Sequence, residues 1–413
     1  MLLLSLIACT SLLADSDTEA LKAELQQQKE TTQKLLSRVE SLEAKQSSSV
    51  NTSASFSQKA YLPDIALILN MSAVSRDVSN SAYADYRVPG FVNNDLTTDT
   101  NIDNAQLPFN ANRGFNLNYA ELALHSVVDP YFEAFAYVHM HPDQLELDEA
   151  FVTTTSLPYG LRVKAGKFKS SFGRLNNKHQ HSWNFDEQAL IYKSFFGPDA
   201  ISDPGIQLQW VAPTDTYIMA GIEGLQGTNE RSFGDENPNL IVVYLKSSID
   251  VGDDLSILGG VSVAHGKTVA KKSSNVYGID LTMRDQLGSY SALTWQSEYL
   301  QRDKDTNTSK RDSQGGLYTQ LVYQYNNNYS TGIRYDALIK NDTNLDTYHN
   351  NGIDTDNLDR VTAMLEYKPF PMSRLRLNYS YDRSKIIAGK RQDINTVMLT
   401  LNIAAGAHGA HSY

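Results

Sequence analysis

The sequence has a single cysteine, Cys9, and no apolar run that approaches the roughly 18 residues of a membrane-spanning helix. Cys9 lies in the apolar opening of the chain, so a protein that loses this opening would hold no disulfide and no thiol for catalysis. No Gly-x-Ser-x-Gly segment occurs either, which removes the usual nucleophile elbow of serine hydrolases. These absences predict a protein that is not an enzyme and that would cross a membrane, if at all, with strands.

Positive charge is also scarce. Lysine and arginine together number 36 against 47 aspartates and glutamates, and the formal net charge is -11. No basic stripe that could neutralise phosphates stands out along the chain, so nucleic acid is not predicted as a partner. We interpret the acidic balance mainly as solvated loop carboxylates.

The opening of the chain predicts export. Residues 1–14 are mainly apolar and end in Ala14, which is typical of a signal peptide, although the usual basic start is missing. A lipoprotein-type box that ends in Cys9 is the alternative, with the lipid carried by that cysteine. Both interpretations take the chain out of the cytoplasm.

Residues 15–46 carry a heptad pattern. Five aliphatic residues occupy its a and d positions: Leu21, Leu25, Leu35, Val39 and Leu42. A solitary helix would expose all of them on one stripe, so we predict an α-helical coiled coil that lies in the periplasm and joins three copies into a homotrimer. Residues 47–58, rich in serine, threonine and asparagine, predict a flexible linker.

From residue 59 onward, apolar and polar residues alternate in about sixteen segments of roughly ten residues, which is typical of β-strands. The connections alternate between short and long: Asn326-Asn327-Asn328 is short, whereas residues 340–360 form a long polar loop. Such regular asymmetry is typical of outer-membrane barrels and is not required in a soluble sandwich. We predict an all-β fold, an antiparallel transmembrane β-barrel of about 16 strands over residues 59–413.

The two faces of each predicted strand indicate which side is the interior. In one segment Leu375 and Leu377 share a face, and Arg374 and Arg376 share the other. A packed soluble core cannot hold so many charges, whereas a water-filled lumen can. The polar face therefore predicts the lining of an aqueous channel, and the apolar face predicts contact with lipid.

Three segments carry a resemblance to a known family, namely residues 147–152, 161–173 and 203–209. They resemble the phosphate-selective porin O/P group of outer-membrane porins, most specifically in Gly166-Lys167-Phe168-Lys169. The resemblance implies a channel in the outer membrane of a Gram-negative cell that passes small hydrophilic solutes or ions by passive diffusion without a cofactor. The chain also resembles proteins labelled zinc-regulated TonB-dependent receptors, which implies a metal-uptake receptor as the alternative, but it shows no plug domain.

Basic residues concentrate in residues 161–174. The apolar residues of this segment first occupy odd positions and then the even positions 168 and 172. This change predicts a β-bulge near Gly166 that turns Phe168 and Phe172 to the lipid and the lysines to the lumen. We predict that the loop of residues 174–204 folds into the barrel and forms a constriction with this basic wall, which favours anions. The alternative is that the lysines merely face a wide solvated pore. The predicted pore and selectivity residues are Arg162, Lys164, Lys167, Lys169, Arg174, Glu187, Arg334, Arg374 and Arg376.

Histidines recur at alternate positions in two places. His139 and His141 share one strand face, and His179 and His181 have the same spacing. Imidazoles together with a nearby carboxylate, such as that of Glu149, could bind a divalent ion. Histidines at alternate positions also line lumen walls without metal, so both interpretations stay open.

Overall fold

The computed structural model describes residues 63–84, 88, 109–110, 112–142, 144–229, 231–234, 238–306, 311–342, 358–387 and 390–406. The predicted signal peptide of residues 1–14, coiled coil of residues 15–46 and linker of residues 47–58 lie outside this part of the chain. The described residues belong to the second of two structural units, residues 61–413. No helix among them has the length and hydropathy to cross a membrane.

Sixteen antiparallel strands close into a barrel, which confirms the predicted all-β barrel of about 16 strands. Each strand pairs with its neighbours in sequence, and β1 pairs with β16 to complete the ring. The strands are β1 (Asp64–Arg76), β2 (Gly114–Asp129), β3 (Phe132–Met140), β4 (Leu145–Thr154), β5 (Leu161–Lys169), β6 (Ser202–Val211), β7 (Tyr217–Leu225), β8 (Leu240–Val251), β9 (Leu255–Lys267), β10 (Ser273–Gln286), β11 (Ala292–Asp305), β12 (Arg311–Gln324), β13 (Tyr329–Asp342), β14 (Leu358–Tyr367), β15 (Ser373–Ile387) and β16 (Lys390–Gly406). Two short helices are present in the described ranges, α1 (Asn80–Ala84) and α2 (Leu190–Phe196).

Exposed and buried side chains alternate along the strands, as the sequence pattern predicts. In β8, Ile241 and Val243 are exposed on the outer surface, whereas Val242 and Tyr244 are buried on the inner one. In β15, Leu377 is exposed and Arg376 is buried. β-branched and aromatic residues fit such a pleated surface, which is why these segments form strands. An outer surface this apolar is typical of contact with lipid.

Residues 170–201, which connect β5 to β6, fold into the barrel as predicted for this loop. We call this segment the inward loop. It contains α2, all of whose residues are buried. The helix ends where Gly197 adopts a φ of 79° and donates its N–H to the carbonyl of Lys193, a conformation that glycine adopts without steric cost. The barrel therefore encloses a folded segment of its own chain.

An apolar core lies between the inward loop and the barrel wall. Phe168 and Phe172 are fully buried in it, together with Leu190, Ile191 and Phe195 of the loop. The prediction that both phenylalanines face the lipid is therefore wrong. The physical reason is that α2 supplies apolar partners inside the barrel, so an inward-facing phenylalanine is removed from water there as well.

The predicted bulge near Gly166 is also wrong, because β5 pairs in continuous register with both β4 and β6. Gly166 instead has a φ of 133°, and an added Cβ would lie 2.2 Å from the carbonyl oxygen of Ala150. Glycine is therefore required by the backbone conformation and by the close approach of β4. A register shift does occur between β3 and β4, where it leaves Asp148 as the extra residue.

Replacing Leu377 by lysine tests the assignment of the outer surface. Leu377 pairs with Leu365 and Leu399, which are exposed on the same face. We expect the free energy of unfolding in lipid vesicles to fall by about 2–4 kcal/mol, the cost of a lysine on the lipid face near the bilayer midplane. Leu287→Lys, in the short connection between β10 and β11, should cost only about 0–1 kcal/mol. Denaturant titration followed by tryptophan fluorescence measures both, and equally small losses would contradict a lipid-facing surface.

Candidate functional site

Four arginines on adjacent strands hold one side of the inward loop. We call them the arginine wall: Arg334 on β13, Arg360 on β14, and Arg374 and Arg376 on β15. Arg376 is 1% exposed, and its Nη1 lies 2.6 Å from Oδ1 of Asp186 in the loop. Its Nη2 lies 2.7 Å from Oε2 of Glu366 on β14. Arg376 thus joins the loop to the wall through charges that are paired on both sides.

The other members of the arginine wall make similar contacts. Arg374 donates to the carbonyls of His181 at 2.6 Å and Trp183 at 2.9 Å. Arg360 places Nη1 3.3 Å from Oε2 of Glu187 and also contacts Asp336 at 3.1 Å. These guanidinium groups are occupied in positioning the loop, because each meets a carboxylate or a backbone carbonyl of it.

Glu187 lies within this wall. Burial alone would raise the pKa of its carboxyl group, but the charges of Arg360 and Lys193 outweigh burial and hold the pKa below its usual value. On β13, Arg334 Nε lies 3.0 Å from Oδ2 of Asp336, whose other oxygen accepts from the N–H of Leu190 at 2.9 Å. The structure therefore brings Glu187, Arg334, Arg374 and Arg376 of the predicted set together as the anchor of the loop.

Arg360 was not predicted from the sequence, because it falls at the end of residues 340–360, which have the composition of a long polar loop. β14 in fact begins at Leu358. Arg360, Thr362, Met364 and Glu366 are all buried on its inner face. Continuing this alternation backward through Arg360 is the signal in the sequence that could have found it.

A second group of cations lies on the other side of the lumen. We call it the basic face: Arg162, Lys164, Arg174, Lys178 and Lys246. They come from β5, from the start of the inward loop and from β8. Arg162 donates from Nε to Oγ1 of Thr153 at 2.7 Å, and the Nζ of Lys164 lies 4.7 Å from the ring centroid of Phe151. These contacts leave the positive charges of Arg162 and Lys164 without a carboxylate within ion-pair distance among the described residues.

The start of the inward loop places three of these cations near one another. Lys246 donates from Nζ to the carbonyl of Gly173 at 2.6 Å, and Nε of Arg174 has no hydrogen-bond partner among the described residues. Burial and, to a smaller extent, the positive charges of Arg174 and Lys246 together lower the pKa of Lys178 to about 8. The basic face is therefore a region of mutually repelling positive charge.

Asp280 is buried near Lys246 and Arg174, and neither of its carboxylate oxygens has a hydrogen-bond partner among the described residues. Two further carboxylates near the basic face are held by other partners. Glu298 accepts from the hydroxyl of Tyr192 at 2.7 Å and from the N–H of Arg174 at 3.1 Å. Glu223 accepts from the N–H of Ser171 at 2.8 Å and the amide of Gln207 at 2.7 Å. These two carboxylates accept hydrogen bonds from the inward loop and the barrel wall.

Lys167 and Lys169 do not join the basic face. Lys167 pairs with Ala150 in the β4–β5 ladder, and its Nζ donates to the carbonyl of Leu147, whose side chain is exposed on the outer surface. Lys169 places Nζ 2.7 Å from Oδ1 of the bulged residue Asp148. The inward position next to both lysines is taken by Phe168.

Two of the four predicted metal-binding histidines, His139 and His179, meet where the inward loop touches β2, β3 and β4. We call their surroundings the histidine–carboxylate cluster: Glu121, His139, Asp148, Glu149 and His179. Nδ1 of His179 lies 3.2 Å from Oε2 of Glu121, and its Nε2 lies 2.7 Å from Oε2 of Glu149. Burial alone would lower the pKa of His179, but the charge of Glu121 and hydrogen bonds to Glu121 and Glu149 raise it to about 10.

The remaining predicted histidines stand at the border of this cluster. Nδ1 of His181 lies 3.6 Å from Oε2 of Glu121. His141 contacts Glu146 at 3.5 Å and the carbonyl of Asn118 at 2.8 Å instead. Glu121 and Asp148 were not singled out from the sequence. Asp148 breaks the alternation of its strand, and only the pairing register shows that it faces inward.

Comparison with known proteins was made by family, sequence and structure. No protein-family model matches the chain. A protein of Aquifex aeolicus (strain VF5), described as an uncharacterized protein, is 39% identical over 394 residues, which cover 87% of this chain and 81% of that protein.

Three solved structures share the fold. The outer membrane channel DcaP of Acinetobacter baumannii is 12% identical with a TM-score of 0.55, and covers 84% of this chain and 99% of its own. An anion-selective porin from Comamonas acidovorans has 10% identity, a TM-score of 0.53 and coverages of 84% and 100%. OprB of Pseudomonas putida is 11% identical with a TM-score of 0.51, and the match covers 84% of this chain and 95% of OprB. These likenesses show the porin barrel fold, while the narrower resemblance to the phosphate-selective O/P group stays a prediction.

Replacing Arg376 by glutamine tests the anchoring of the loop. The change leaves Asp186 and Glu366 without their shared cation, so we expect the free energy of unfolding to fall by about 3–5 kcal/mol. Arg284→Gln is a matched control, because Arg284 is exposed and reaches only the edge of hydrogen-bond distance, 3.5 Å, at Thr294; it should cost less than about 0.5 kcal/mol. Denaturant unfolding measures both variants, and a loss below about 1 kcal/mol for Arg376→Gln would show that the wall does not hold the loop.

Proposed function

We propose that this chain, which belongs to the same protein family as the Aquifex aeolicus protein, is an outer-membrane porin that passes small hydrophilic solutes or ions by passive diffusion. The observation that carries the proposal is the closed barrel with an apolar outer surface and charged residues on its inner surface. Lipid would surround such a barrel, and water would enter it. The action is passive, so the proposal involves neither a reaction nor a cofactor.

We also propose that residues 15–46 form a periplasmic coiled coil that joins three copies of the chain. This rests on the heptad pattern of the sequence. The alternative of a metal-uptake receptor is not favoured, since the three structural neighbours are described as a channel, a porin and OprB.

The route of solutes is proposed to follow the basic face. The arginine wall is closed by the inward loop, and Arg334, Arg360 and Arg376 are each at most 2% exposed. Arg162 is exposed, and Lys164 and Arg174 keep part of their surface open. Only charges that border the solvated path attract ions from it, because charges paired in the wall present little net field.

From this difference we propose that the pore prefers anions at Arg162, Lys164, Arg174 and Lys178, behind which Lys246 is buried. Within the set predicted from the sequence, Arg334, Arg374, Arg376 and Glu187 would act as anchors of the inward loop. Lys167 and Lys169 would lie away from the solute path. The proposal therefore moves the selective region from the Gly-Lys-Phe-Lys segment to the side of the lumen between β5 and β8.

Conductance in planar bilayers tests the channel itself. We expect the purified full chain to insert and to give stepwise, ion-selective current without an energy source, with steps in groups of three if the chain trimerises. Liposome swelling with sugars of increasing size should show uptake that ends at a size cut-off. A barrel that is folded and inserted but carries no current and no sugar would contradict the porin proposal.

A double substitution of Arg162 and Arg174 tests the proposed selective region. In Arg162→Gln/Arg174→Gln, we expect the anion-to-cation permeability ratio at low salt to fall by up to about tenfold, because two charges that border the path are lost. At ~1 M salt, where the Debye length is about 3 Å, the difference should shrink. Reversal potentials in a salt gradient measure the ratio.

Lys167→Gln is the matched control for this experiment, since it removes one positive charge of the same strand. We expect an unchanged permeability ratio, because its Nζ is bound to the carbonyl of Leu147 away from the lumen. A shift caused by Lys167→Gln and not by the arginine variant would return the selective region to the Gly-Lys-Phe-Lys segment.

A further inference from the structure

We propose that the histidine–carboxylate cluster binds one divalent transition-metal ion of the zinc class through Glu121, His139, Asp148 and His179. The four side chains come from β2, β3, β4 and the inward loop, in that order. A metal there would join the loop to the wall at β2, β3 and β4, on the other side of the β1–β16 closure from the arginine wall. The proposal concerns binding of the ion and stands whether or not the barrel conducts.

Donor atoms of His139, Asp148 and His179 all lie within 4.8 Å of one another, and Glu121 lies beside both imidazoles. Oε2 of Glu121 lies 3.0 Å from Nε2 of His139 and 3.2 Å from Nδ1 of His179. Oδ2 of Asp148 lies 3.7 Å from Nε2 of His139 and 3.4 Å from Nδ1 of His179. Zinc bonds of about 2.0–2.1 Å place the ligands of a tetrahedron roughly 3.3 Å apart, so these four distances are close to that value, and Glu121 completes the tetrahedron when its carboxylate moves toward Asp148.

Two carboxylate oxygens of the cluster lack a hydrogen-bond donor. Glu121 is fully buried and Asp148 is 4% exposed, yet Oε1 of Glu121 and Oδ2 of Asp148 have no hydrogen-bond partner among the described residues. A buried carboxylate oxygen without a donor is costly. Lys169 neutralises one side of Asp148, at Oδ1, and the imidazole of His179 lies 3.4 Å from the other, at Oδ2. A metal ion between Oδ2 of Asp148 and Glu121 would replace the proton of that imidazole as the balancing charge.

Glu149 would orient the metal-bound imidazole of His179 through a hydrogen bond to its other ring nitrogen. Its Oε2 lies 2.7 Å from Nε2 of His179, the ring nitrogen opposite Nδ1. A hydrogen bond at that nitrogen fixes the ring and directs Nδ1 toward Glu121 and Asp148, where the metal would lie. Two imidazoles and two carboxylates suit zinc, cobalt or nickel better than calcium or magnesium, which prefer oxygen ligands alone.

Metal titration of the detergent-purified full chain tests the site. After treatment with a chelator and its removal, we expect the chain to bind one Zn²⁺ at this site, measured by calorimetry and by metal content after gel filtration. Co²⁺ in place of Zn²⁺ should give the intense visible absorption of tetrahedral cobalt. His179→Gln and Asp148→Asn should each weaken binding by at least about 100-fold, because even the loss of an outer partner of a metal ligand costs about 10–100-fold.

Two controls separate this site from binding elsewhere on the chain. His265→Gln removes an exposed histidine that contacts Asn275 and should leave the affinity unchanged. Replacing His408 and His411 together by glutamine should also leave it unchanged, since these residues are not among the proposed ligands. Far-UV circular dichroism and heat-modifiable gel migration check that each variant has folded.

The opposite results would overturn the proposal. Zinc binding that is as weak in the native chain as in His179→Gln would mean that the cluster is held by proton-mediated hydrogen bonds only. Binding that is lost in the His408/His411 variant would assign the ion to the tail. Weak absorption of octahedral cobalt in the native chain would exclude the four-ligand site even if a variant failed to fold.

Discussion

Closure of the sheet between β1 and β16 is the constraint on which the rest of the structure depends. A lipid bilayer offers no hydrogen bonds to the backbone, so an open strand edge inside it would leave N–H and C=O groups unpaired. The ladder from Ala66 with Gly406 to Arg76 with Thr396 removes that edge. In a closed ring each residue faces either lipid or lumen, and residues two apart share a face. The apolar outside and the charged inside both follow from this geometry.

The interior of a barrel this wide cannot be filled by wall side chains alone, and the inward loop occupies part of it. Its helix α2 makes an apolar core with Phe168 and Phe172, while Asp186 and Glu187 form ion pairs with the arginine wall. Burying those charges is tolerable because each carboxylate meets a guanidinium group with good hydrogen-bond geometry. The solute path proposed above lies on the side where cations are not paired in this way.

Much of the fold could be predicted from the sequence, because strand alternation and connection lengths are local patterns. The number of strands, their antiparallel order and the inward position of Arg376 follow from them. The site was predictable only in part. The alternation rule assumes that the lumen holds water, so it misplaced Phe168, whose partners lie on a loop distant in sequence. The inward position of Asp148 depends on the pairing register of β3 and β4, and the sequence of one strand alone does not reveal that register.

The two sides that hold the inward loop differ in chemistry. Arginine keeps its charge throughout the physiological pH range, so the pairs of Arg360 and Arg376 with the loop are permanent. At β2, β3 and β4 the loop is attached through His179, whose Nδ1 lies 3.2 Å from Oε2 of Glu121. The metal ion proposed above would replace the proton between them, so it would act on this attachment and leave the arginine pairs unchanged. Because the start of the loop carries Arg174 and Lys178, a change at His179 would also move the charges that border the proposed solute path.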